Sequence, residues 1–122
     1  MSIRYSALLC CLIAIFPGVL SAGELSSAKK AELETAALAG SPSAAREVAL
    51  FHGTKNDKLF EFWSWIGAEN GDSICQYNYA SILQGKADAY SRARAIYWMK
   101  KAAARKVKFA EEALRKMNQS SS

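Results

Sequence analysis

Three short stretches of this chain repeat one another, and no other feature limits the fold so tightly. Ala36-Ala37 comes ahead of Gly40, and Ala44 follows. Gly67-Ala68 comes ahead of Gly71, and Cys75 follows. Ala102-Ala103 comes ahead of Lys106, and Ala110 follows. Each time, two small residues precede a stop residue, and a further small residue stands four positions after it. The stops lie 31 and 35 residues apart, and Trp63 and Trp98 keep the same spacing of 35. A period in the thirties made of two helices marks an αα-hairpin solenoid. The small residues fit that architecture, because only Gly, Ala or Cys leaves room where two helix backbones cross closely. The indoles then fill the wider gaps beside the crossings.

The text between the joints is helical. Ala is abundant, β-branched residues are sparse, and no strand-like alternation persists. Breaks at Gly40 to Pro42, Gly53 to Asn56, Gly71-Asp72 and Gly85 to Ser91 delimit helices near 25–39, 42–52, 57–70, 72–84, 91–105 and 107–117. Ser41-Pro42 places a capping hydroxyl ahead of a Pro at the first helical position. Gly40 and Gly71 stand where a left-handed terminator is needed. Asp72 and Asp57 are the expected caps of their segments. Ala95, Trp98, Met99, Ala102 and Ala103 form an i, i+3, i+4, i+7, i+8 stripe. The expected fold is all-α, a short right-handed αα-hairpin solenoid of five to six helices. Lys106 replaces a terminating Gly, so the helices on either side of it are open to running on as one.

Residues 1–22 read as a secretory signal peptide. Arg4 supplies the positive start, and Ser6 to Leu20 is uncharged. Pro17-Gly18 breaks the run ahead of a small-residue cleavage site after Ala22 or Ser21. The run falls short of the roughly 20 residues that a membrane span needs. The expected destination is a periplasm, with residues 23–118 as one domain and 119–122 as a disordered tail. Cys75 is then the lone cysteine, unable to form an internal disulfide. Stability must come from apolar packing.

Reactive groups are few. One His and three Cys in 122 residues cannot build a Cys/His zinc module. No phosphate loop or nucleophile elbow is present. His52 ends an apolar segment and reads as packing. Cys75 occupies a small-residue crossing and reads as a buried, inert thiol. Glu32/Glu34 and Glu111/Glu112 point in different directions on their helices and make no acid–base dyad. The expectation is a non-enzymatic protein with no cofactor and no metal.

Charge and aromatics point to binding. Residues 23–89 carry six Lys and Arg against nine Asp and Glu, whereas residues 90–122 carry nine against two. Such a basic end attracts an acidic protein or anionic lipid headgroups. Export argues against nucleic acid. In Phe60 to Trp65, Phe60 and Trp63 share a face with Gly67, and Phe62 and Trp65 lie nearer a second. That second face is either covered by a neighbouring helix or left open with Trp65 as an anchor. Solenoids dock partners on the concave wall, lined by the first helix of each unit. Tyr77, Ser81 and Gln84 are the candidates there, with Arg46 and Leu50 in the matching places of the earlier unit. Arg94, Lys101 and Arg105 are the candidates of the basic end.

The pattern resembles the Sel-1-like repeat family, relatives of the tetratricopeptide repeats. Gly71-Asp72-Ser73-Ile74-Cys75-Gln76-Tyr77-Asn78-Tyr79-Ala80 is similar to the family's first helix. Arg94-Ala95-Ile96-Tyr97-Trp98-Met99-Lys100-Lys101-Ala102-Ala103 is similar to its second. Ala44 to Gly71 makes a degenerate unit, with Val48-Ala49 at the Leu-Gly position and His52 where the family keeps a packing Tyr. Cys75 stands at an Ala of the family pattern, and Ala80 at a Gly. The resemblance implies one good repeat, one degenerate repeat and two flanking half-repeats. It further implies a module that binds other proteins. An immunity protein that neutralises a secreted effector, such as one delivered by type VI secretion, is its most specific form. The alternative is a structural or envelope-stress adaptor that touches the inner-membrane surface through the basic C-terminal helices without a stable anchor.

Overall fold

The computed structural model describes residues 25–120. The segment read as a signal peptide lies outside the described residues. Among those described the chain is all-α, with helices α1 (Ser27–Leu38), α2 (Pro42–His52), α3 (Asp57–Glu69), α4 (Ser73–Gln84), α5 (Ala89–Ala104) and α6 (Lys108–Gln119). Each helix packs on the next, most extensively α2 on α3 and α4 on α5. Helix α1 also reaches α3, and α2 reaches α4. The arrangement is two helical hairpins with half a unit at either end.

Side-chain caps set most of the helix starts. Ser41 Oγ accepts from Ala44 N at 3.3 Å, with Pro42 just inside the helix. Asp72 Oδ1 accepts from Cys75 N, and Asp88 Oδ1 from Ser91 N, both at 2.8 Å. The Asp88 cap starts α5 two residues earlier than the sequence suggests. At the second break Asn56, not Asp57, is the cap, accepting from Leu59 N at 3.1 Å. Asp57 sits one place further in, where its charge favours the positive end of the helix.

The three joints have the same hydrogen-bond pattern. Gly40 N donates to Ala37 O, and Ser41 N reaches back to Ala36 O. Gly71 N donates to Ala68 O, and Asp72 N to Gly67 O. Lys106 N donates to Ala103 O, and Val107 N to Ala102 O. Each is a Schellman ending, with a left-handed residue between two helices. Their φ angles are 106° at Gly40, 95° at Gly71 and 59° at Lys106. The boundary left open by the sequence at Lys106 is therefore a break. The lysine adopts the glycine conformation, and α5 and α6 are separate. The small pair supplies the two accepting carbonyls of each joint, and the residue after the stop is the N-cap of the next helix. Val107 caps α6 without a side-chain hydrogen bond. Helix α6 continues through Gln119, one residue into the expected tail, where Ser120 N donates to Lys116 O.

The core lies where the joints and helix faces meet. Trp63 and Trp98 are each 5% exposed, and Ala44, Ala45, Val48, Ala49, Met99 and Ala110 are buried with them. Cys75 and Gly67 mark the tightest crossing. A Cβ at Gly67 would lie 2.7 Å from Cys75 Cβ and closer still to its Sγ.

Candidate functional site

The reactive groups point inward. Cys75 is fully enclosed, and burial, helped by the Asp72 carboxylate, pushes its thiol up to about 12. A thiol held protonated in this way is neither nucleophile nor metal ligand at neutral pH. His52 is buried with Nε2 unpartnered, its ring edge-on to Phe51 at 5.0 Å. Burial first, and the Lys30 charge next, hold its pKa below the ordinary value. Among the described residues no group of three or more His, Cys, Asp or Glu is placed to hold a metal ion. Nor is any described helix long and apolar enough to cross a membrane.

The expected concave set divides. Tyr77 and Gln84 on α4 line a groove of about 270 Å³ with Phe109, Glu112, Ala113 and Lys116 of α6. Tyr77 and Phe109 stack obliquely there, with centroids 6.3 Å apart. Ser81 is exposed, but its hydroxyl donates to Tyr77 O at 2.9 Å, back along its own helix. Arg46 and Leu50 do not line that groove. Leu50 is an exposed apolar side chain of α2. Arg46 braces the second joint. Its Nη1 lies 3.2 Å from Asp72 Oδ2, while the other oxygen of that buried carboxylate caps α4. Such a carboxylate requires a cation or several donors beside it.

The second face of α3 is open. Phe62 and Trp65 are 40% and 38% exposed and meet edge to face at 6.1 Å. Trp65 Nε1 donates to Glu69 Oε1 at 2.7 Å, which fixes the indole against its own helix. Lys58, Glu61, Phe62, Trp65 and Tyr79 surround a depression of about 250 Å³.

On α5 the basic candidates gather round an aromatic ring. Arg94 lies 4.2 Å from the centroid of Tyr97 and Lys101 lies 5.1 Å from it. Tyr97 in turn stands edge-on to buried Trp98 at 5.1 Å, as Phe62 does to Trp63 at the same distance. Lys101 and Arg105 then line a notch of about 290 Å³ with Gln76 and Ala104. Gln76 is buried, with its Oε1 unpartnered. Tyr97 and Phe109 were not among the candidates read from the sequence. The 35-residue offset that relates Trp63 to Trp98 also relates Phe62 to Tyr97, and that signal marks the tyrosine. Nothing comparable marks Phe109.

Ion pairing separates the two ends of the molecule. Of the six cations in residues 23–89, Lys29, Lys30, Arg46 and Lys86 each pair with a carboxylate, and Lys55 and Lys58 have none within ion-pair distance among the described residues. At the basic end Lys116 pairs with Glu112. Among the described residues, Arg92, Arg94, Lys100, Lys101, Arg105, Lys106, Lys108 and Arg115 have no carboxylate within ion-pair distance.

Comparison of the chain with protein-family models, with curated proteins and with solved structures found no match.

Proposed function

We propose that this chain is an exported, non-enzymatic protein-binding module of Sel-1-like repeat type. In its most specific form it is an immunity protein that holds a secreted effector, such as one delivered by type VI secretion, in an inactive complex. The observation that carries the reading is two exposed aromatic faces, Phe62 with Trp65 on α3 and Tyr97 with Arg94 and Lys101 on α5. Large aromatics and Arg are the side chains that supply most of the energy of protein interfaces. The enclosure of Cys75 and His52 fits a surface that binds rather than reacts. A periplasmic location rests on the sequence of residues 1–22.

A second reading has its own observation. Phe109 is 67% exposed on α6, a helix that also carries Lys108, Arg115 and Lys116. A helix of that kind lies in the headgroup region of anionic lipid. That is the envelope adaptor.

Affinity capture from an envelope extract at physiological salt tests the first reading. One protein partner should be recovered in stoichiometric amount, and Trp65→Ala or Tyr97→Ala should cut its recovery at least about tenfold, as hot-spot truncations do. Co-expression should then neutralise any toxicity that the partner shows in the same compartment. Recovery of lipid-dependent binding alone, with no protein, would leave the adaptor in its place.

A further inference from the structure

Three cations along α5 and its C-cap fall in line. Arg94, Tyr97, Lys101 and Arg105 follow i, i+3, i+7, i+11 and so share one face of the helix. With a rise of about 1.5 Å per residue they span roughly 16 Å. The ring of Tyr97 holds two of the three charges in place, with Arg94 and Lys101 both over it. Arg105 reaches over the second joint, its Nη2 4.0 Å from where a Cβ of Gly71 would stand. None of the three has a carboxylate within ion-pair distance among the described residues. The stripe ends in the notch that Lys101 and Arg105 form with Gln76 and Ala104.

We infer that this stripe is the docking surface for an acidic protein segment whose carboxylates recur about once per helical turn. The inference rests on the binding-module reading and deepens it by naming the chemistry of the partner. Cations held over a ring lose less freedom on pairing than free side chains do, which favours binding. A carboxylate near each of Arg94 and Lys101, and a third in the notch beside Arg105, would match the charge. A lipid surface fits the stripe less well. Interfacial helices insert apolar side chains between headgroups, and the one ring on this stripe, Tyr97, carries a polar hydroxyl and is flanked by the charges of Arg94 and Lys101. The remaining charges of the C-terminal part draw the acidic partner in from a distance.

The test uses the folded chain and a 16-residue Ala-rich helical peptide with Glu at every fourth position. A second peptide carries Gln at those positions, and vesicles of phosphatidylglycerol and phosphatidylethanolamine serve as the lipid probe. The Glu peptide should bind and the Gln peptide should not, with binding weakened by added salt. The triple variant Arg94→Gln, Lys101→Gln, Arg105→Gln should lower affinity for the Glu peptide by about tenfold. The charge-matched control Lys29→Gln, Lys30→Gln, Lys55→Gln should stay within about twofold of the parent. A variant that keeps the charges, Arg94→Lys with Arg105→Lys, should retain most of the binding, which separates loss of charge from loss of fold. Equal losses in the triple variant and its control would overturn the inference, since net charge alone would then explain binding. Vesicle binding without Glu-peptide binding would overturn it in favour of lipid. A captured protein that depends on Trp65 but not on the stripe would also overturn it, while the binding-module reading stood. Stripe-dependent peptide binding with no partner captured would uphold the inference and remove support from that reading.

Discussion

Single residues in this chain are explained by their counterparts one repeat away. At the first and third joints the crossing positions are Ala36 with Ala44 and Ala102 with Ala110. At the second they are Gly67 with Cys75, so volume taken from one side is returned on the other. Gly67→Ala alone should destabilise the chain by about 1–3 kcal/mol through overpacking. Gly67→Ala with Cys75→Ala should recover only part of that loss, because the contact with Sγ is removed while the 2.7 Å contact with the Cβ at position 75 stays. Urea unfolding of the two variants and of Cys75→Ala measures the coupling. Additive losses would show that the crossing is not what excludes a side chain at Gly67. His52 has the same kind of counterpart, since the joint spacing places buried Leu83 in its register. Its folded pKa lies below the ordinary 6.5, so the unfolded chain binds the proton more tightly. The stability this contributes is complete above about pH 6.5 and is lost as pH falls through the folded value. Thermal melts from pH 7.5 to 5 should fall for the parent. They should fall less for His52→Leu, which also removes the unpartnered Nε2. Equal slopes would rule out His52 as the source.

The third joint gives the clearest view of what residue identity discloses about helix boundaries. Gly40 and Gly71 were readable as stops because Gly enters the left-handed region without a Cβ penalty. Lys106 was readable only through its spacing, and its own chemistry argued for a continuous helix. The hydrogen bonds at 102–107 hold it there, matching those of the other two joints. A non-Gly residue in that region costs about 1–2 kcal/mol. Lys106→Gly should therefore raise the thermal midpoint, with a net gain near 1 kcal/mol after the entropy of the added Gly is counted. Val107→Thr should add a further gain of up to about 1 kcal/mol, by giving α6 the side-chain cap it lacks while keeping a methyl group against the core that half-buried Val107 packs on. If Lys106→Gly leaves the melt unchanged, the left-handed conformation carries no strain. The same limit explains Asn56. Two adjacent residues with capping side chains stood at that break, and only the turn geometry selects between them. Arg46 was beyond sequence reasoning altogether, because the carboxylate that claims it belongs to a different joint.

Along the whole chain, contacts run mainly between neighbours, so stability is distributed as in a short stack. The charge polarity of the two ends was plain in the sequence. Which cations were already satisfied was not, because ion pairs depend on where helices bring distant side chains. Helices α1 and α6 each have one principal neighbour and should open before α2 to α5. They should respond differently to salt. On α1, Lys29 and Lys30 pair with Glu32 and Glu34 along the same helix. At the other end Arg105, Lys106 and Lys108 crowd the α5–α6 joint without carboxylates in ion-pair reach among the described residues. Raising ionic strength from 0.01 to 0.1 M shortens the screening length from about 30 to about 10 Å. Repulsion at the basic end should weaken, while the short pairs on α1 change little or lose slightly. Native-state hydrogen exchange should then show α6 gaining protection with salt and α1 holding level or declining. Parallel changes at both ends would mean that the unpaired cations lie too far apart to repel. In that case a dense basic surface, which the docking role of α5 requires, would be absent from the folded molecule.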